Sequence, residues 1–462
     1  MADYSIRELE NWNRKIEEIA CESGLDFYEQ EFEICDFEEM TGYEAYTGMP
    51  SHYPHWSYGK AYERIRTLNK YNLSGLPYEM VINSNPCIAY LMKDNTLLLQ
   101  ILTMAHVYGH NDFFKNNRLF KAATRADYTI EMFKNHADRI REYISDPGIG
   151  YSKVEKILNA AHAIRFQTCR TVGEKRLTEE EKRKHMLEKI RKGKKENAVL
   201  DMNENLPDDT SDIKKIPVEP EEDILFFVAG YGRLADWEKD IMSIVREETR
   251  YFIPQIETKI MNEGWASFWH YNILKKLMLP QGLHMEFIKR HNQVIGPHEG
   301  RINPYYIGFR IFEDLCSRYG DNTDKIFEVR EVERDQSFIR KYLTRELCEE
   351  MNLFEYIKSG NEYIISEVSD EDGWKEIRNS LAAAVGLGSI PVIRIIEWTQ
   401  KDNTLILEHQ YDGRELELNH AYETMKHLVD IWEGKILLTT YLEDRRKILI
   451  CDENKKLSVT NV

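Results

Sequence analysis

The sequence contains no apolar run approaching the roughly 20 residues that carry a helix across a bilayer, so insertion by a helical span is excluded. The stretch MADYSIRELENWNRKIEEIA lacks the basic region, apolar core and small-residue cleavage site of an export signal, and the expected compartment is the cytoplasm. Cysteine is scarce and scattered: Cys21, Cys35, Cys87, Cys169, Cys316, Cys348 and Cys451 form no CxxC pair, and their number, 7, is odd. A zinc ribbon is thereby excluded and a disulfide framework disfavoured, which leaves small apolar side chains. Positive charge is also in deficit, with 62 Lys and Arg against 79 Asp and Glu and a net charge of −17. Such a chain repels nucleic acid and anionic membrane as a whole.

What is present fits a globular protein of two or three domains: 462 residues, 42% hydrophobic and 31% charged. Helical periodicity runs through Ile6 to Cys21, Tyr58 to about Tyr71, about Asn95 to Phe114, Tyr128 to Ile144 and Tyr151 to Thr168. It resumes over Asp236 to Phe252, Pro254 to Met278 and Pro304 to Tyr319. Between them, residues 174–223 form a charged excursion, a basic block followed by an acidic, proline-punctuated tract, expected to be a solvated helix and then a mobile segment. Beyond about residue 324 the pattern shifts to short strands and two helices in a βαββαβ-like order with one further strand. The expected class is α+β: a mainly helical domain over 1–323 with bundle-like or zincin-like packing, and a smaller C-terminal α+β domain over 324–462. Gly386-Leu387-Gly388 follows a helix rather than a strand, so it makes a poor nucleotide fingerprint.

The chemistry is concentrated in LLLQILTMAHVYGHNDFF, where His106 and His110 stand four residues apart, a helical spacing that lets two imidazoles share a metal. The HExxH pattern of zinc peptidases places its general base after the first histidine, whereas here that position is Val107. In MNEGWASFWHYNIL, Glu263 and His270 lie seven residues apart, two turns on one helix face. A carboxylate among so many aromatics is costly to bury unless it meets a cation or hydrogen-bond donors. Glu155 and His162 repeat the offset, and His136 sits on the preceding helix. In a bundle these groups would converge, with His106, His110, Glu263 and His270 as ligands of one zinc or other divalent ion. His136, Glu155, His162 and His291 would stand behind them. No Glu-x-x-His occurs in this half, so a mononuclear site is favoured over a di-metal one. His291 or Asp112 is the candidate general base. Without metal, the same groups form a buried network that fixes helix register.

The phrases LPYEMVINSNPCIAYLM, AHVYGHNDFFKNN, PQIETKIMNEGWASFWHYNIL and INPYYIGFRIFEDL resemble the SpoVR family, the stage V sporulation protein R group. The resemblance implies a role in spore cortex formation, in the cytoplasm of the mother cell. For non-sporulating relatives it implies a stress-response system shared with a PrkA-type serine kinase and a von Willebrand factor A-like protein. The family's His and Glu motifs fall on His106, His110, Glu263 and His270. Two functions are therefore expected as alternatives: a metal-dependent hydrolase, or a non-enzymatic scaffold or regulatory protein whose polar cluster is structural.

Overall fold

The computed structural model describes residues 4–70, 79–170, 173, 176–199, 215–297, 302–320, 324–359, 362–368 and 370–461. The chain forms two compact units, residues 1–141 with 250–389 and residues 142–249 with 390–462.

The first unit is organised around a helix with no solvent face. Helix α1 (Ile6–Glu22) lies against α2 (Leu97–Asn116), which begins where the Thr96 side chain accepts the Leu99 N–H and buries every residue from Leu98 to Phe114. Helix α3 (Lys259–Lys276) packs along α2. Two more helices complete the layer: α4 (Gln281–Val294) against α2, and α5 (Pro304–Tyr319) against α3. Asn303 caps α5 by accepting from the Tyr305 N–H at 3.0 Å, with Pro304 in the first turn, where a missing N–H costs nothing.

Small residues bring these helices unusually close. A Cβ on Gly264 of α3 would stand 2.3 Å from Gly308 Cα of α5, and one on Gly109 of α2 would stand 2.6 Å from Ala266 Cα of α3. Both crossings are therefore backbone against backbone. Around them lies an apolar core that includes Trp265, Phe268, Phe312, Phe338, Ile101 and Met104.

Two strands, β1 (Gln30–Cys35) and β2 (Glu79–Ile82), flank a third, β3 (Cys87–Met92), in the order β1-β3-β2. Strand β3 runs parallel to β1 and antiparallel to β2, pairing Glu79 with Leu91. This sheet packs on α2 and sets Glu79 at the start of its strand. Asn83-Ser84-Asn85-Pro86 is the connection between β2 and β3, and Thr96 caps the long helix that follows. The stretch expected as one helix from Pro254 also divides differently. Pro254 lies within a helix, Asp236–Glu257, and the break comes at Thr258. The Thr258 side chain makes no capping bond, and both oxygens of Asp335 accept from the Ile260 and Met261 N–H groups at 2.9 Å.

Residues 324–389 belong to the first unit. They include a hairpin of β4 (Phe354–Ser359) and β5 (Glu362–Val368) and a helix, Gly373–Ala384. Leu387 N–H donates to Glu257 Oε1 at 3.0 Å, so the GxG segment serves packing.

The second unit carries a five-stranded mixed sheet of β6 (Ile393–Thr399), β7 (Thr404–His409), β8 (Ile436–Leu442), β9 (Arg445–Cys451) and β10 (Leu457–Asn461), in the order β10-β9-β8-β7-β6. Strands β7 and β8 are parallel and joined through α6 (Leu418–Trp432), the crossover that parallel neighbours require. The other pairs are antiparallel. Strand β5, expected in the same sheet, pairs with β4 alone among the described residues. Helix α6 rests on the Tyr151–Ile164 helix, with Lys156 and Asp430 in contact at 3.2 Å. Of the charged excursion, Glu179–Val199 is helical, Glu221 bridges to Ile395, and the acidic tract expected to be mobile falls largely in 200–214, outside the described residues. The class is thus a mainly helical N-terminal region followed by a C-terminal α+β region. Among the described residues, no helix is long and apolar enough to cross a membrane.

Candidate metal centre

The glycine crossings explain why the polar groups meet. Gly109 lies between His106 and His110 on α2, and Gly264 follows Glu263 on α3, so the points of closest helix approach are also the points that carry these polar side chains. His110 Nε2 lies 3.5 Å and His106 Nε2 3.8 Å from Glu263 Oε2. From the sheet side, Glu79 Oε1 comes within 3.8 Å of His106 Nε2. Among the described residues, Glu79, His106 and His110 form a group whose ligating atoms all lie within 4.8 Å of one another, and this group could hold a metal ion.

The outer sides of both imidazoles are held. His110 Nδ1 pairs with Asn262 Oδ1 at 2.8 Å. His106 Nδ1 pairs with His270 Nδ1 at 2.9 Å, and His270 Nε2 pairs in turn with His291 Nδ1 at 2.8 Å. His270 thus spends both ring nitrogens on other histidines, which places it behind His106. The His291 ring stacks on Tyr271, centroids 4.6 Å apart. Tyr305, from the first turn of α5, stacks its ring on His106 at 6.0 Å.

Electrostatics follow from burial. Desolvation holds the His110 imidazole down at about 4, with the neighbouring His106 adding to the effect. His270 is held well below its ordinary value by burial and by the surrounding histidines, and His291 lies at about 4, again chiefly through burial. All three imidazoles are therefore neutral at pH 7, the state in which a histidine ligates a metal. Burial pushes the Glu79 carboxyl up, partly offset by His106. For Glu263 burial acts upward too, but His106, His110 and Lys259 outweigh it and the net shift is downward. The charge of Glu263, followed by burial, holds the Tyr305 phenol well above its ordinary value.

The other residues singled out from sequence lie elsewhere. His136 is buried on Thr129–Ser145, a helix that also buries Thr129, Phe133, Ala137 and Ile140. Glu155 and His162 are part-exposed on Tyr151–Ile164 in the second unit, where Glu155 accepts from the Tyr151 hydroxyl at 2.8 Å. Asp112 accepts from the Asp26 N–H and from Trp265 Nε1, both at 2.8 Å, and faces Arg330; it ties α2 to its neighbours. Glu79, Asn262 and Tyr305 were not singled out. For Glu79 the signal was available, since an acid opens an otherwise apolar strand, EMVI.

Fold and cluster together define a class: a helical domain with a buried centre of two histidines and two carboxylates, joined to a small α+β domain. The chain belongs to the SpoVR family, since the model described as "SpoVR like protein" matches residues 3–390 and that of the "SpoVR-like C-terminal domain" matches residues 391–443. The boundary between the two matches adjoins Ser389, where the first unit ends. The chain is 32% identical over 486 residues to "Uncharacterized protein YcgB" of Escherichia coli (strain K12), covering 96% of this chain and 93% of that protein. No solved structure matches.

Proposed function

We propose that Glu79, His106, His110 and Glu263 hold a divalent ion, zinc by preference, and that the centre supports a hydrolytic reaction on cell-wall or precursor chemistry during spore cortex formation. One observation carries the reading. His106 Nε2 and Glu263 Oε2 are fully buried, and neither has a hydrogen-bond partner among the described residues. Separations of 3.5 to 3.8 Å between Glu263 Oε2 and the two imidazole nitrogens are close to the ~3.4 Å between ligand atoms in a tetrahedral site with bonds of about 2.1 Å. Two imidazoles and two carboxylates suit zinc and its neighbours among the first-row metals.

Bound there, the ion would supply Lewis-acid polarisation of a water or of a carbonyl or phosphoryl oxygen. The chain's own residues divide the remaining work. Asn262 and His270 hold the outer nitrogens of the two imidazoles and so fix the ring planes. Val107 leaves α2 without the HExxH base, and the carboxylates arrive instead from β2 and α3. Tyr305, high in pKa beside Glu263, keeps its hydroxyl proton and can donate a hydrogen bond into the site. The mother-cell cytoplasm is the proposed location, and a PrkA-type serine kinase and a von Willebrand factor A-like protein are the proposed partners.

Elemental analysis of the full-length protein after zinc reconstitution, beside His106→Ala/His110→Ala, tests the centre. About one ion per chain in the parent and none in the double variant is expected, and no ion in the parent refutes it. Complementation of a deletion in a spore-forming host tests the role, with Glu263→Gln expected to fold and yet fail to restore cortex. The rival, a non-enzymatic scaffold or regulator acting with the kinase, draws on Val107. It requires instead that alanine at Glu263 lower thermal stability and sporulation together.

A further inference from the structure

Three buried histidines run in single file away from the proposed centre, and only the first belongs to it. Each link is a nitrogen–nitrogen contact, His106 Nδ1 to His270 Nδ1 at 2.9 Å and His270 Nε2 to His291 Nδ1 at 2.8 Å. Two nitrogens at that distance share one proton, and a neutral imidazole carries only one. The proton position at one end of the file therefore fixes every other position. Two orders exist. In the first, His106 carries its proton on Nδ1 and donates to His270 Nδ1; His270 is then protonated on Nε2 and donates to His291 Nδ1, and His291 keeps its proton on Nε2. In the second, His291 donates from Nδ1 to His270 Nε2, His270 donates from Nδ1 to His106 Nδ1, and His106 carries its proton on Nε2.

The surroundings of His106 choose between them. Without an ion, Nε2 faces two carboxylates, Glu79 Oε1 and Glu263 Oε2, both at 3.8 Å, and negative charge on that side favours an N–H there. With an ion, Nε2 must be bare to ligate, so the proton has to sit on Nδ1. We propose that His270 and His291 are positioning residues forming a tautomer relay, in which occupancy of the proposed centre reverses the proton order of all three rings. The balance is simple. One proton leaves His106 Nε2 as the ion enters, the two shared protons each cross their hydrogen bond, and one proton is taken up at His291 Nε2, so the number of protons on each ring is unchanged. The relay rests on the metal reading above and adds to it that the second and third histidines set affinity without touching the ion.

The test is made on the full-length protein with zinc as the probe. Nitrogen-15 spectra of labelled histidines distinguish protonated from bare ring nitrogens, and zinc titration of the parent is expected to move the His291 proton from Nδ1 to Nε2 and the His270 proton from Nδ1 to Nε2. In parallel, His270→Met, which offers His106 only a weak sulfur acceptor and cannot donate to His291, is expected to weaken zinc binding by about 10- to 100-fold. His270→Gln accepts through its carbonyl and donates through its amide, and is expected to bind closer to the parent than to the methionine variant. If the parent binds zinc while His291 keeps its tautomer, or if His270→Met binds as the parent does, the relay is overturned and the centre stands. If the parent binds no zinc, both fall. The spectra of the parent decide the matter even if His270→Met fails to fold.

Discussion

Alanine at Gly308 is expected to destabilise the protein by roughly 2 kcal/mol, although alanine is the better helix former. A Cβ there would stand 2.2 Å from the Ile260 carbonyl oxygen and 2.6 Å from Gly264 Cα. Both obstacles are backbone, so no side chain can swing aside, and α3 and α5 must separate by about 1 Å to restore ordinary contact. Forced overpacking of this kind costs about 1–3 kcal/mol, and the absence of a flexible neighbour argues for the upper end. Against it stands the ~1 kcal/mol gained by replacing a helical glycine. The control is Gly59 in the Trp56–Lys70 helix, where a Cβ meets nothing within 4 Å and only the gain applies. Urea unfolding followed by tryptophan fluorescence reads both variants, since Trp265 is fully buried one residue from Gly264. Gly59→Ala should raise the midpoint and Gly308→Ala should lower it. A Gly308→Ala midpoint at or above the parent's would refute the view that backbone contact sets the α3–α5 spacing.

Removal of the Asp335 carboxylate leaves the Ile260 and Met261 N–H groups buried and unpaired, so Asp335→Ala is expected to cost about 1–3 kcal/mol in the same assay. Asn should recover part of it, and an unchanged midpoint in Asp335→Ala would show that α3 needs no cap from that side. Glu79→Gln removes one of two buried like charges, so the metal-free variant is expected to be at least as stable as the parent while binding zinc more weakly. Lower stability at unchanged affinity would reverse the assignment of Glu79. In the second unit His409 is buried against Thr440, Nδ1 to Oγ1 at 3.0 Å, and burial holds its pKa below the ordinary value. The unfolded chain then takes up its proton near pH 6.5 while the folded chain does not, so stability falls as pH drops below that point. His409→Asn lacks this loss, and its stability should converge on the parent's between pH 7 and pH 5; parallel curves would refute the assignment.

Much of the helical half was legible because its signals are local. The apolar periodicity around His106, and the Asn303-Pro304 start that returned Pro304–Tyr319 unchanged, depend on nearest neighbours along one helix. The misreadings share the opposite character. Pro254 looked like a helix start, yet the break falls at Thr258 because a carboxylate 77 residues later, on Asp335, supplies the missing acceptors. Strand β3 went unseen because CIAYLM is a short apolar run, which periodicity alone does not assign to strand or helix. At the site, the fourfold and sevenfold spacings brought out His106, His110, Glu263 and His270, whereas Glu79 comes from a strand and is placed by sheet register, which no spacing within one helix encodes. Glu155 and His162 share the offset of Glu263 and His270 but sit in the other unit, because a common spacing gives a common face and says nothing of what that face meets.

A buried polar cluster that existed only to fix helix register would be expected to satisfy itself, because each unpaired buried group costs about 1–3 kcal/mol. The outer shell here does so: His110 Nδ1, His106 Nδ1 and both nitrogens of His270 are all paired at 2.8–2.9 Å. The inner shell does not. His106 Nε2 and Glu263 Oε2 face each other at 3.8 Å, too far for a hydrogen bond, and the glycine crossings that hold α2 and α3 at their spacing leave neither helix free to close the gap. Such a frame keeps its outer atoms satisfied and its inner atoms apart, at a stability cost that register alone does not require. Under the proposed reading, an ion of about 2.1 Å bond length would remove that cost. Zinc should therefore raise the unfolding temperature of the parent and leave that of His106→Ala/His110→Ala unchanged, and equal shifts in both would return the cluster to a structural role.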